Sequence, residues 1–176
     1  PELQRLSDAV WCDHVSEAPI VPQQLRRALG SFVTGVTVVT ACNGGGEASG
    51  LTVNSFNTVS LEPPLVLWSL SLRAASLDAF VKASHFAVNV LAGYQAAISE
   101  TFAKTGSDNF ARVAWQSGPA DVPLLEGTAA SCTGRNDTRH PGGDHLIFIG
   151  EVIAFEQHSR APLAYANGRY IELPGG

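Results

Sequence analysis

Charged side chains are scarce in this sequence. They make up 15% of the 176 residues, whereas about a quarter is usual for a soluble domain. A surface that meets only water is normally richer in charge, and buried interfaces are depleted of it. Part of this surface is therefore expected to lie against another protomer or a ligand.

Clusters of basic residues are also missing. The net charge is −5, and the only adjacent basic pair is Arg26-Arg27. Domains that bind nucleic acid usually carry clustered Lys and Arg on a basic surface. Nucleic acid is therefore excluded as an expected partner.

Cysteines are few and widely spaced. Cys12, Cys42 and Cys132 form no CxxC pair, so we expect free thiols rather than a disulfide framework or a metal site. Residues 1–20 lack the apolar stretch of a signal peptide, and no segment approaches the ~18–20 apolar residues of a membrane span. The expected location is cytoplasmic, without membrane contact.

Three common motifs are absent as well. The chain has no GxGxxG between a strand and a helix, no GxxxxGK[ST] and no GxSxG. Their absence removes the usual signals of a Rossmann dinucleotide site, a P-loop and a hydrolase nucleophile elbow. No repeat or linker divides the chain, so residues 21–176 are expected to form one domain after an N-terminal extension, residues 1–20.

What the sequence does contain is a series of β-branched, apolar segments separated by turn residues. Strands are predicted over 32–40, 49–60, 65–70, 85–91, 127–136 and 146–156, with a short one near Tyr170. Short helices are predicted over 22–29, 74–83 and 94–104. The run 65–70 is apolar apart from Ser69, which favours a strand buried on both faces. The pattern implies a mainly β protein with short helices, built as an antiparallel barrel.

The segment 52–57, TVNSFN, is unusually polar for a strand. Its hydroxyl and amide groups are suited to the edge of a flat heteroaromatic ring with carbonyls and ring nitrogens. An edge strand whose polar face meets water would show the same composition, so the residues alone leave both interpretations open.

Two further segments carry polar groups in positions that suit a ligand. Serines and Arg73 lie where a strand leads into a helix, and helix N-termini favour phosphate. His145 comes shortly after two glycines, at the start of a strand, where it could donate to a carboxamide or a ring carbonyl of a ligand. Helix capping by Ser71 or Ser76 and a structural role for His145 are the simpler explanations. Residues 104–110, and Tyr165 and Tyr170, are weaker candidates for a covering loop and for stacking.

Taken together and in order, these segments resemble the short-chain flavin reductases, the reductase components of two-component flavin monooxygenases. The resemblance runs from about Leu25 to Tyr170. It rests on FVTGVTVVT at 32–40, GLTVNSF at 50–56, VSLEPPLV at 59–66, FAVNVL at 86–91, FAK at 102–104, PGGDH at 141–145 and GEV at 150–152.

The resemblance implies a split β-barrel of the FMN-binding type, with antiparallel, Greek-key-like strands, assembled as a homodimer. It implies hydride transfer from NADH or NADPH to FMN or FAD, and delivery of reduced flavin to a partner flavin-dependent monooxygenase. The cofactor-binding residues it implies are Val53, Asn54, Ser55, Phe56, Asn57, Val59, Ser60, Ala74, Ala75, Ser76, Gly106, Ser107, Asp108 and Phe110. His145, Asn54 and residues 166–168 are implied near the nicotinamide, with His145 as the orienting residue.

Some features depart from the family pattern. Trp68 is bulkier than expected, and the strand before PGGDH is polar, which leaves flavin preference and pocket shape open. Three alternatives also remain: an enzyme that keeps its flavin and reduces another acceptor, a flavin-binding module without turnover, and a dimerising barrel without a ligand.

Overall fold

The computed structural model describes residues 19–42, 46–104, 109–171 and 173. Within them, the strands are β1 (Thr34–Gly35), β2 (Thr37–Cys42), β3 (Ala48–Val53), β4 (Asn57–Leu61), β5 (Pro64–Ser71), β6 (His85–Val90), β7 (Trp115–Ser117), β8 (Pro123–Leu125), β9 (Ala130–Gly142), β10 (His145–Gln157), β11 (Ala164–Ala166) and β12 (Arg169–Ile171). The α-helices are α1 (Pro22–Leu29), α2 (Leu77–Lys82) and α3 (Ala96–Ala103). None of the helices described is long and apolar enough to cross a bilayer.

The main sheet is a split barrel. Its seven strands run in the order β3-β2-β6-β9-β10-β5-β4, and each pair is antiparallel. The edge strands β3 and β4 are separated in the chain only by residues 54–56, so the sheet must curl until its two edges approach each other. Two small antiparallel sheets, β1-β11-β12 and β7-β8, accompany it. The mainly β, antiparallel split-barrel prediction is confirmed.

The predicted single strand over 49–60 is wrong, because residues 54–56 leave the ladder to cross from one edge to the other. Ser55 ties this crossing to β5: its hydroxyl donates to Ser69 O (3.1 Å) and accepts from Ser69 N (3.0 Å). A run of small polar residues in this segment therefore marks the split in the barrel, where side chains replace backbone pairing.

Aromatic side chains fill the centre of the barrel. Trp68 is fully buried and stacks on Phe148, with ring centroids 4.3 Å apart and planes 8° from parallel. Phe80 of α2 and Phe86 of β6 meet the indole edge-on at 5.1 and 5.7 Å. Burial along β5 alternates rather than being continuous, so the expectation of a strand buried on both faces is wrong. Because buried and partly buried side chains alternate along β5, the side chains on its second face can make contacts outside the core.

Helix α3 packs against β3 on the outside of the barrel. Phe102 and Ser99 are buried there, and Thr52 Oγ1 donates to Ser99 O at 2.7 Å. Ala97, in the first turn of the helix, is exposed. Tyr170 Oη donates to Ser99 Oγ at 2.9 Å, so the C-terminal small sheet holds α3 from the other side.

Helix α1 presents apolar side chains to the solvent. None of its residues is buried, and Leu29 is 65% exposed. Ile20 and Phe32, which flank the helix, are 73% and 75% exposed. Single exposed apolar residues are ordinary, but several together mark an interaction surface.

Cys132 is expected to resist alkylation in the folded protein. Burial raises the pKa of its thiol to about 11, although a hydrogen bond with the Val88 backbone opposes the shift. At pH 8 roughly one molecule in a thousand then carries the reactive thiolate. Peptide mass spectrometry after iodoacetamide treatment should find Cys132 unlabelled in the native protein and labelled after denaturation; equal labelling in both states would contradict this.

Candidate functional site

A cleft of about 580 Å³ lies beside the β3 edge of the barrel. Sites for small molecules and cofactors are commonly 300–1,000 Å³. Three parts of the fold form its walls: strand β3, the turn before α2, and the end of α3 with the residues that follow. The lining residues are Glu47, Ala48, Ser49, Gly50, Leu51, Thr52, Ala74, Ala75, Ser76, Phe102, Ala103, Lys104, Asn109 and Phe110.

One wall of the cleft is aromatic, and a glycine makes room for it. Phe102 and Phe110 meet edge to face at 5.1 Å, and Trp115 continues the series at 5.6 Å from Phe110. A Cβ at Gly50 would lie 2.7 Å from Phe102 Cε1 and 3.1 Å from Phe110 Cζ. Glycine in the middle of β3 therefore permits the close approach of these rings, which offer a flat ligand apolar contact.

Another part of the cleft lining is the turn between β5 and α2. Ala74 N donates to Ser71 O at 3.0 Å, and Leu77 N donates to Ala74 O at 3.1 Å. Helix α2 begins at Leu77 rather than at residue 74, so Ala74, Ala75 and Ser76 form the turn that precedes it. Backbone N–H groups at a helix start lack partners within the helix, and a phosphate group can accept from them.

A strip of polar side chains runs along the outer face of β5 toward this turn. Ser69 and Ser71 alternate with the core residues Trp68 and Leu70, so they face away from the core. His145, the first residue of β10, pairs with Ser71; directly opposed residues of an antiparallel pair point to the same face.

His145 is held at the tip of the β9-β10 hairpin by its neighbour. Its Nδ1 lies 2.7 Å from Asp144 Oδ1, and this hydrogen bond, with the charge of the imidazole, holds the pKa of the Asp144 carboxyl below its usual range. Leu72 N donates to Asp144 O at 2.9 Å. The hairpin tip is therefore bonded directly to the turn that forms the cleft wall.

The structure brings together only part of the predicted site. Ala74, Ala75, Ser76 and Phe110 line the cleft. Asn54, Ser55 and Phe56 form the crossing between the barrel edges, and Ser55 joins the polar strip through Ser69. Gly106, Ser107 and Asp108 lie outside the described residues.

Other predicted residues are placed elsewhere. Val53 is 8% exposed and belongs to the core, so only its backbone is available to a ligand. Asn57, Val59 and Ser60 lie on the edge strand β4, where Asn57 Oδ1 accepts from Thr58 N at 2.9 Å. Asn167, in the segment 166–168, donates its N–H to Gly30 O at 2.7 Å.

Sequence reasoning missed half of the cleft lining. It did not single out residues 47–51, Phe102 or Ala103, whereas Thr52, Lys104 and Asn109 fall within the candidate segments 52–57 and 104–110. One signal was available, because an isolated glycine inside a strand pattern, here Gly50, often marks a close backbone approach. Trp68 does not narrow the cleft, because its side chain is buried in the core of the barrel.

Comparison with known proteins shows what the chain is similar to. Residues 29–174 match the family model described as the flavin reductase-like domain. An FMN reductase (NADH) from Agrobacterium fabrum is 41% identical over 148 residues, covering 84% of each protein. The reductase component of a flavin-dependent trigonelline monooxygenase from Acinetobacter baylyi is 42% identical over 151 residues, 85% of this chain. The chain spans about half of that relative's length, 48%.

Solved structures agree with this grouping. An NADH:FAD oxidoreductase from Streptomyces globisporus, solved in complex with NAD and FAD fragments, superimposes with a TM-score of 0.84 at 36% identity. The superposition covers 92% of this chain and 98% of that protein.

Proposed function

Because the chain belongs to the flavin reductase-like family, we propose that it is an NAD(P)H:flavin oxidoreductase. It takes hydride from NADH or NADPH, reduces FMN or FAD, and supplies the reduced flavin to a partner flavin-dependent monooxygenase. The observation that carries the proposal is the cleft, whose lining combines aromatic side chains with a turn suited to phosphate.

The residues present fit a flavin. The cleft has the size of a cofactor site, Phe102 and Phe110 supply apolar contact, and the backbone N–H groups of Ala75 and Ser76 are suited to a phosphate, since that of Ala74 already donates to Ser71 O. Lys104, which is exposed, adds a positive charge to the cleft lining. When both are bound, the reduced nicotinamide supplies a hydride and the flavin ring accepts it.

The protein's own contribution is positioning. Nicotinamide and flavin carry the redox chemistry, so the chain needs to hold and orient them rather than to donate a catalytic acid or base. Holding two rings at ~3–3.5 Å supplies much of the rate advantage through proximity. Backbone N–H groups along residues 53–56 are suited to stabilise negative charge on a reduced ring, and His145 orients the nicotinamide.

We propose a homodimer in the cytoplasm as the working form. The apolar side chains around α1, with Ile20, Leu29 and Phe32 more than half exposed, give a second copy a surface to bury. Covering such a surface also accounts for the low charged fraction of the sequence.

A simple assay separates the proposed reductase from its alternatives. Purified protein is mixed with NADH and excess free FMN or FAD, and the loss of the near-ultraviolet absorbance of NADH is followed. Turnover that depends on added free flavin supports the reductase. Turnover only with another acceptor indicates a flavoprotein that keeps its flavin, and flavin binding without turnover indicates a non-catalytic module. Repeating the assay with NADPH defines the nicotinamide preference.

Replacing His145 with alanine is expected to weaken nicotinamide use and to spare flavin binding. Loss of one hydrogen bond predicts a KM for NADH that rises about three- to tenfold. The flavin dissociation constant, measured by fluorescence titration, should stay unchanged because His145 lies outside the cleft lining. An equal loss of flavin affinity in this variant would argue against the assigned role.

A further inference from the structure

Ser99, in the middle of helix α3, accepts two hydrogen bonds that come from different parts of the chain. Its hydroxyl accepts from Tyr170 Oη at 2.9 Å, and its carbonyl accepts from Thr52 Oγ1 at 2.7 Å. Ser99 is 1% exposed, and a buried polar group that loses its partner is costly. The helix is therefore tied both to the C-terminal strand β12 and to the cleft strand β3.

The place of Ser99 on β3 fixes the place of a ring in the cleft wall. Phe102 follows Ser99 by three residues, so the two lie on one face of the helix, and both are buried. On β3, Gly50 precedes Thr52 by two residues and therefore faces the same side of the sheet. A Cβ at Gly50 would lie 2.7 Å from Phe102 Cε1, so strand and ring are in close contact. A shift of α3 along β3 would carry Phe102 out of the wall.

Tyr170 reaches helix α3 from a hairpin that is itself anchored. Its ring meets that of Tyr165 edge to face, with centroids 5.5 Å apart, and Tyr165 lies in β11, which pairs with β1. Asn167, in the turn of this hairpin, donates its N–H to Gly30 O at 2.7 Å. Tyr170 is not among the residues that line the cleft. Its hydroxyl therefore acts on the helix from a fixed point outside the cleft.

We propose that Tyr170 is a positioning residue for the flavin: its hydroxyl fixes α3 on β3 and so holds Phe102 in the wall of the cleft. It acts through Ser99 and touches neither flavin nor nicotinamide. The inference rests on the proposed function and deepens it by naming a residue outside the cleft on which flavin affinity depends. This role differs from the stacking on a ligand that the sequence left open for Tyr170.

The first experiment tests the tie without any ligand. Hydrogen exchange, followed by mass spectrometry on the flavin-free protein, reports how readily α3 opens. Tyr170→Phe should speed exchange in peptides covering residues 96–104 about three- to tenfold, the value of one hydrogen bond, and leave β6 unchanged. Tyr165→Phe is the matched control, because it removes a neighbouring hydroxyl that has no hydrogen-bond partner among the described residues. Equal exchange of α3 in the wild type and in Tyr170→Phe overturns the proposal.

The second experiment tests the consequence for the flavin. Fluorescence titration should give a flavin dissociation constant about three- to tenfold higher in Tyr170→Phe than in the wild type, whereas Tyr165→Phe should match the wild type. At saturating flavin, kcat and the KM for NADH should keep their wild-type values, because the variant loosens only the wall against which the flavin packs. A raised KM for NADH with unchanged flavin affinity would indicate direct contact with the nicotinamide and overturn the proposal.

A double-mutant cycle with Ser99→Ala shows whether the two residues act through one bond. Ser99→Ala alone should raise the flavin dissociation constant, and adding Tyr170→Phe should raise it no further. Additive effects, or wild-type flavin affinity in Ser99→Ala, would overturn the proposal even if Tyr170→Phe did not fold. Failure of the wild type to bind any flavin would refute the proposed function, and the flavin role of Tyr170 with it. Hydrogen exchange would still show whether Tyr170 ties α3 to the sheet.

Discussion

Replacing Trp68 with alanine is expected to lower the free energy of unfolding by about 3–5 kcal/mol, as for other large aromatic residues removed from a core. The side chain is fully buried and touches three other aromatic rings. Its removal leaves a cavity that β-strands paired on both sides cannot close by collapsing. Urea denaturation followed by circular dichroism measures the loss.

Two companion variants make this result specific. Trp68→Phe should cost much less than Trp68→Ala, because the indole N–H has no hydrogen-bond partner among the described residues and phenylalanine leaves no polar group behind. Trp115→Ala should cost under about 1 kcal/mol, since Trp115 is 40% exposed. If Trp68→Ala and Trp115→Ala lowered the free energy of unfolding by similar amounts, the aromatic cluster around Trp68 would not be a main source of stability.

The sequence was a good guide to the local elements of this fold and a poor guide to where the strands separate. Helix α1 has the predicted bounds, and Pro22 at its start explains why. The division of 49–60 into two edge strands was not foreseen, because β-branched residues lie on both sides of residues 54–57. The split depends on a contact between Ser55 and Ser69, which are distant in sequence. Local patterning carries no information about such a contact.

The same limit applies to the candidate site. The turn 74–76 and Phe110 were foreseen from the resemblance, and both line the cleft. The β3 wall was not, because it becomes a wall only when α3 packs on β3 through Ser99 and Phe102. His145 was identified from the PGGDH motif, but its hydrogen bond to Asp144 is visible only once the hairpin tip is built. Short motifs in the sequence can identify single ligand-binding residues. The shape of the cleft, in contrast, depends on contacts between elements that are far apart in the sequence.

Replacing Gly50 with valine is expected to raise the flavin dissociation constant at least tenfold. A Cβ at this position would lie 2.7 and 2.9 Å from two atoms of Phe102 and 3.1 Å from Phe110. Phe102 is 2% exposed and has no free space to enter, so Phe110, which is only partly buried, must move. Overpacking of this kind costs about 1–3 kcal/mol, and here it deforms the wall against which the ring of the ligand would pack.

Flavin titration by fluorescence quenching measures the change, with circular dichroism to show that the variant stays folded. Gly50→Ala should give a smaller effect in the same direction, because it lacks the two methyl groups of valine. Gly35→Ala is the matched control, since a Cβ at that position would meet nothing within 4 Å. If Gly50→Val binds flavin as tightly as the wild type, the ligand does not use the cleft beside β3. The flavin would then have to lie against the polar strip of β5 alone, without contact to Phe102 and Phe110.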